Sequence, residues 1–388
     1  MSFQIFPVEV LATILDEVSS AGDLRSLRAA SRDLHGLATP LAFRRLVATH
    51  SARSARRLAW LVQARIIARH VTEVVYEHRE ECSEGHRCSD DVLRELRSTF
   101  SLLHLLPRLS SIRLLFSAHV ECSPLLSPMQ DSDTEMSIPE DTGERSSAPG
   151  VQAAIIEGLS RTSLPLSDRL RSLSIDGLFN IPDTLFSRPS FRTLLEKLTH
   201  LHVAVTPAST SHDIADFWNL SIRDHILAPP ASSLQSLSLR SDQTVGLNPK
   251  FSFDGLTYPG LHSLSLECFQ FNPEVGVEDF IVRHKKTLAQ LWLKDCTIAL
   301  DDDASHDPLH NARGYRNGGR VWSRVWARLA DELRELKALE VHEIRGWQGK
   351  PLRYSWLQDG YFWNYCDLAL DDDTAGLQRL HGLLERTP

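Results

Sequence analysis

One short pattern, apolar-x-x-apolar-x-apolar, returns eight times after residue 70 and limits what this chain can fold into. It reads Val71/Val74/Tyr76, Leu109/Ile112/Leu114, Leu170/Leu173/Ile175 and Leu198/Leu201/Val203. Leu234/Leu237/Leu239, Leu261/Leu264/Leu266, Leu288/Leu291/Leu293 and Leu336/Leu339/Val341 follow. The last two apolar positions of each unit alternate with polar residues, the period of a half-buried strand. Helical spacing fills several intervals: 214–227 carries Phe217, Leu220 and Ile226, 277–288 carries Phe280, Ile281 and His284, and 321–336 carries Val325, Leu329 and Leu333. Starts at 234, 261 and 288 lie 27 residues apart, while the other units are spaced unevenly. The expectation is an α/β chain of alternating strands and helices. An unrelated α/β domain with parallel strands would show similar runs.

The pattern resembles the leucine-rich repeat, one strand and one helix per unit. Leu288-x-x-Leu291-x-Leu293-x-x-Cys296-x-Ile298 matches it in full, including the Cys that satisfies backbone groups after the strand. The other units lack Asn or Cys there, so their turns must close differently and the solenoid should be irregular. Such arrays have one concave strand surface. Alternation places on it Ser172, Ser174, Asp176, His200, His202, Ser236, Ser238, Arg240, Ser263, Ser265, Glu267, Gln290, Trp292, Lys294, Glu340 and His342. Arg240 and Trp292 are the expected binding anchors, with Lys294, Glu267, His200 and His202 beside them, because Trp and Arg dominate interface hot spots.

The N-terminus is different. Pro7 suits a helix start, and Leu11, Ile14, Leu15 and Val18 follow at helical spacing. Gly22 is expected to break the run, and Asp23 to cap a second helix with Leu24, Leu27, Ala30 and Leu34 on one face. Thr39-Pro40 is expected to start a third helix carrying Leu41, Phe43 and Leu46. Phe6-Pro7-Val8-Glu9-Val10-Leu11, Ile14-Leu15, Asp23-Leu24, Leu27-Arg28-Ala29-Ala30-Ser31-Arg32 and Phe43-Arg44-Arg45-Leu46 resemble the F-box. Phe6 and Ala30 depart from its usual Leu and Val. The resemblance implies docking onto a Skp-type adaptor of a cullin ubiquitin ligase through Phe6, Pro7, Val10, Leu11, Ile14, Leu15, Leu24, Leu27, Ala30 and Leu34. The combination also resembles, more loosely, fungal F-box proteins with divergent leucine-rich repeats, of which the stretch Phe280 to Leu293 looks typical. The implied layout is F-box 1–48, basic linker helix 49–70, repeats 71–346 and a C-terminal cap 347–388.

Arg44 to Arg69 holds seven arginines and no acidic residue. Structural or adaptor-facing use is preferred there over nucleic-acid binding. Residues 123–150, rich in Ser, Pro, Asp and Glu, are expected to be a disordered insertion, with Ser123-Pro124 and Ser127-Pro128 open to proline-directed kinases. Cys82, His86 and Cys88 fit no zinc spacing, and the six cysteines contain no CxxC pair. At Asp301-Asp302-Asp303, His306 stands where a calcium loop wants Gly, so neither this loop nor His310 beside it is read as a metal site. Asp371-Asp372-Asp373 should open the last helix. The C-terminal aromatics, Trp347 to Tyr365, are read as the cap's core.

No Gly-x-Ser-x-Gly elbow, GxGxxG, P-loop or HExxH occurs. The expectation is therefore a non-catalytic substrate receptor of an SCF-type ubiquitin ligase, with no cofactor. Its partners would be the adaptor, through it the cullin ligase, and a target protein. A scaffold acting outside ubiquitination and a nucleic-acid-associated repeat protein are the alternatives. No signal-peptide pattern and no bilayer-spanning apolar run occur. A cytosolic or nuclear protein with no membrane partner is expected.

Overall fold

The computed structural model describes residues 6–18, 20–78, 89–116, 148–161, 166–180, 184–206, 217–300, 321–343, 353–358, 361–365 and 370–385. The fold is mixed α/β with mostly parallel strands, in two compact units. The first takes its described residues from Met1–Ala118, Gly143–Asp176 and Ser187–Leu198, the second from Gly177–Phe186 and Thr199–Pro388.

Unit 1 opens with helices α1 (Val8–Asp16), α2 (Ala21–Ala30) and α3 (Arg32–Ala42). Their boundaries differ from those expected. Ser20 Oγ, not Asp23, caps α2, accepting from Asp23 N at 3.2 Å, and Gly22 sits inside that helix. The break between α2 and α3 falls at Ser31, whose hydroxyl caps α3. Serine hydroxyls compete well for the orphan N–H groups of a first turn. Pro40 lies inside α3 rather than at a helix start. Leu46 belongs to a strand, β1 (Arg45–Thr49), where Leu46 and Ala48 are buried and alternate with exposed Arg45 and Val47.

After β1 come α4 (Ala52–Gln63), short α5 (Arg65–Ala68), β2 (Glu73–Glu77), α6 (Asp90–Ser101), β3 (Ser111–Leu115), α7 (Ala148–Ser160), β4 (Ser172–Phe179) and α8 (Pro189–Leu195). The basic helix expected over 49–70 is thus two helices, α4 and α5, rather than one. The strands are parallel and in register, so Leu46, Val74, Ile112 and Leu173 form one apolar row and Ala48, Tyr76, Leu114 and Ile175 a second. All eight are almost wholly buried. Burying one Leu or Ile side chain contributes about 1.5–3 kcal/mol.

Unit 2 holds β5 (His200–Thr206), a π-helical stretch Phe217–Leu227, β6 (Ser236–Val245), β7 (Ser263–Phe271), α9 (Val277–Arg283), β8 (Gln290–Lys294), β9 (Thr297–Leu300), α10 (Trp322–Glu332), β10 (Ala338–His342), β11 (Tyr354–Gln358), β12 (Tyr361–Tyr365) and α11 (Leu370–Leu384). Strands β5, β6, β7, β8 and β10 are parallel neighbours. β7 forks: Ser263–Glu267 pairs with β8, whereas Gln270 and Phe271 pair with β9. Cys268 stands at the fork with φ 65°, and Asp295 has φ 53° between β8 and β9. The two are 27 residues apart and both lie in the left-handed region. Beyond β9 run parallel β11 and antiparallel β12, strands not expected from the sequence.

A single backbone device recurs in both units. The carbonyl just before one strand accepts from two successive N–H groups at the next. Arg44 O takes Thr72 N and Glu73 N, Thr72 O takes Ser110 N and Ser111 N, and Ser110 O takes Arg171 N and Ser172 N. In unit 2 Thr199 O serves 235 and 236, Gln235 O serves 262 and 263, His262 O serves 289 and 290, and Ala289 O serves 337 and 338.

Unit 2's core is aromatic. Trp218, Phe251, Phe253, Phe269 and Phe280 are buried in mutual contact, with ring centroids 4.6–6.0 Å apart along the chain of pairs. Its C-terminal end is tied by polar bonds. Asp373, wholly buried, accepts from Tyr354 Oη at 2.6 Å and from Ser323 N at 2.8 Å. It therefore serves the N-terminus of α10 rather than only its own helix.

His284, buried against Tyr258 and Phe280, joins the core through both ring nitrogens. Nε2 accepts from Tyr258 N at 2.9 Å, and Nδ1 donates to Phe280 O at 2.7 Å. This assigns the neutral Nδ1–H tautomer, because Nε2 must keep its lone pair. Burial lowers its pKa below the ordinary 6.5. The unfolded chain therefore takes up the proton first as pH falls. Stability from this group is complete above about pH 6.5 and declines below it toward the folded pKa. Urea midpoints should fall from about pH 7 to about pH 5, and His284→Phe should flatten that part of the profile.

Candidate docking surfaces

On unit 2, register assembles a polar strand face. Residues between the buried leucines line up in three rows. The first is His200, Ser236, Ser263, Gln290 and Ala338, and the second is His202, Ser238, Ser265, Trp292 and Glu340. The third is Ala204, Arg240, Glu267, Lys294 and His342. Except for buried Ala204, these side chains are half-buried or exposed, while Leu201, Leu237, Leu264, Leu291 and Leu339 between them are buried. Four serines, Ser236, Ser238, Ser263 and Ser265, make a floor of short side chains. His200 and His202 flank it on β5, and Gln290 and Trp292 on β8. Three strand steps separate these borders, roughly 14 Å at ordinary strand spacing.

The third row is charged and internally paired. Lys294 Nζ donates to Glu267 Oε1 at 2.6 Å, and Arg240 Nε lies 3.5 Å from the same oxygen. The Glu267 hydrogen bond leads the causes that raise the Lys294 pKa, so the ammonium is charged at neutral pH. In the second row His202 Nδ1 and Ser238 Oγ are 2.9 Å apart. Lys294 and His342 occupy adjacent positions, and His342 Nε2 is 3.6 Å from Glu340 Oε2.

Asp242 is a member of this region that sequence reasoning passed over. Its carboxylate takes Thr206 Oγ1 at 2.8 Å and lies 3.5 Å from Arg240 Nη2. It holds the ninth position of the 234 unit, where Cys296 stands in the 288 unit. That shared offset was the available signal. Cys296 Sγ itself lies 3.5 Å from Leu266 O and from Lys294 O, and burial pushes its thiol up to about 12.

The N-terminal helices form a second surface. Of the ten expected docking residues, Phe6, Pro7, Val10, Ile14 and Ala30 are exposed and Leu27 is half-buried. Leu11, Leu15, Leu24 and Leu34 are buried instead, holding the helices to one another. Four apolar side chains, Phe6, Val8, Val10 and Ile14, stand 42–54% exposed along α1 and its lead-in. Val10 and Ile14 are one turn apart, next to the stripe of Leu11 and Leu15 that faces inward. Arg28 binds α2 to α3, donating through Nε to Thr39 Oγ1 at 2.9 Å and lying 5.3 Å from the Phe43 ring centroid.

Among the described residues no group of three or more His, Cys, Asp or Glu side chains could hold a metal, and no helix is long and apolar enough to cross a membrane. Cys82, His86, Cys88, Asp301 to Asp303, His306, His310, Trp347 and most of 123–150 lie outside the described residues. Neither a protein-family model nor a curated protein matches the chain.

The two stripes of α1 should separate under mutation. Leu15→Ala removes a buried side chain and should cost about 2–5 kcal/mol, whereas Ile14→Ala should change stability by about 0.5 kcal/mol or less. Urea denaturation of the full chain measures both.

Proposed function

We propose that this chain is a non-catalytic substrate receptor of an SCF-type ubiquitin ligase, with an F-box at its N-terminus and an irregular leucine-rich-repeat solenoid behind it. The observation that carries the reading is the outward apolar row of Val10 and Ile14 on α1, with Phe6 and Val8 also exposed at its start. Three short helices with a well-filled inner stripe gain nothing from a second apolar stripe in water, and contiguous exposed patches mark interaction sites. In the F-box reading the adaptor covers this row. The strand face around the serine floor then receives the target, with Trp292 and Arg240 as anchors and Lys294, Glu267, His200 and His202 around them. The chain's contribution to catalysis would be positional, holding target near the E2.

The test is co-purification of the full chain with a Skp-type adaptor. Phe6→Asp/Ile14→Asp should abolish capture while leaving the melting temperature near wild type, because both side chains are exposed. Trp292→Ala should retain the adaptor and lose the target. A well-folded wild type that captures no adaptor rejects the ligase reading.

A further inference from the structure

Docking through the α1 row and the unit 2 strand face does not engage the basic stretch from Arg44 to Arg69. All seven of its arginines, Arg44, Arg45, Arg53, Arg56, Arg57, Arg65 and Arg69, are exposed. No carboxylate occurs in the sequence from Arg44 to Thr72, and Arg45 meets Glu73 only at 3.6 Å. The chain as a whole carries −8, so this is a local reversal of sign.

Arg53, Arg56, Arg57 and Trp60 fall at i, i+3, i+4 and i+7 of α4 and share one helix face. The opposite face, Ala55, Leu58 and Val62, is buried in the fold. Trp60 is 65% exposed and Ile66, on α5, 68%. They are the most exposed large apolar side chains among the described residues. The cation found over a ring among those residues is Arg28 on Phe43, not an arginine on Trp60.

An exposed aromatic and an exposed aliphatic side chain on two successive helices, among exposed guanidinium groups, suit one kind of partner. We propose that the α4–α5 surface docks this chain onto an anionic lipid bilayer, Trp60 and Ile66 entering the headgroup region while the arginines hold acidic headgroups. Trp belongs at that depth, apolar side chains gain by entering the acyl boundary, and each basic residue near the surface adds attraction. A nucleic acid would use the arginines but not Ile66, and single-strand binders offer several stacking rings along a groove. An acidic polypeptide would use them too, but protein anchors are enclosed in pockets. The absence of a bilayer-spanning run does not bear on surface docking. The inference is independent of the ligase reading.

The test is co-sedimentation of the full chain with vesicles of phosphatidylcholine alone, or mixed equally with phosphatidylserine. Wild type should sediment only with the mixed vesicles, and less as salt rises. Arg56→Glu/Arg57→Glu should weaken binding at least about tenfold. Trp60→Ala/Ile66→Ser should weaken it about fivefold or more. All four positions are exposed, so the variants should melt as wild type does. Failure of folded wild type to bind mixed vesicles overturns the proposal, as does full binding by the Trp60→Ala/Ile66→Ser variant. Tighter capture by polyuridylate or polyglutamate at the same salt would also overturn it, reassigning the arginines to nucleic acid or to an acidic protein.

Discussion

Parallel strands can stay neighbours only if each finds its register without a tight turn to set it. Here the setting is done twice over. Buried side chains stack in rows, Leu46 on Val74 on Ile112 on Leu173 in one unit and Leu201 on Leu237 on Leu264 on Leu291 in the other. At seven junctions among the described residues one carbonyl before a strand also binds two N–H groups of the next. A slip of one residue would turn every leucine outward and break both backbone bonds at once. The helices, the polar strand face and the turns at Cys268 and Asp295 all take their positions from that double constraint.

The same alternation makes the strand face what it is. A strand that buries every second side chain must present the others. Serine at four of these positions keeps the surface low between the imidazoles of β5 and the indole of β8. Charge is concentrated at one edge, where Glu267 is shared by Arg240 and Lys294. Helix α1 follows the opposite logic, with Leu11 and Leu15 on its inner stripe and Val10 and Ile14 apolar on its outer one.

The strands were the most legible part of the fold. All eight units of the apolar pattern lie on or immediately before strands, because period-2 burial leaves a direct trace in the order of residues. The polar strand face was legible for the same reason. β1 was missed because Leu46 alone is too short a signal beside a helical run. β9 and the β11–β12 pair were missed because they depend on the fork at Cys268, a backbone turn that a cysteine does not advertise. Helix ends were misplaced where Ser20, not Asp23, capped α2, and where Ser31 started α3 well before the expected start at Thr39-Pro40. Asp373 was read as serving its own helix, but its bonds run to Tyr354 and Ser323, a tertiary contact invisible along the chain. On α1 periodicity marked Leu11, Ile14 and Leu15 alike, and only packing divides them into inward and outward.

The carbonyl that bridges one strand to the next is indifferent to how much chain lies between them. Ser110 holds Arg171 and Ser172 across some sixty residues of sequence, and Gln235 holds His262 and Ser263 across fewer than thirty, with the same pair of bonds. Growth of the chain between strands therefore leaves the ladder unchanged. A fold built this way can acquire new segments between its strands, each free to diverge, while its register is inherited intact.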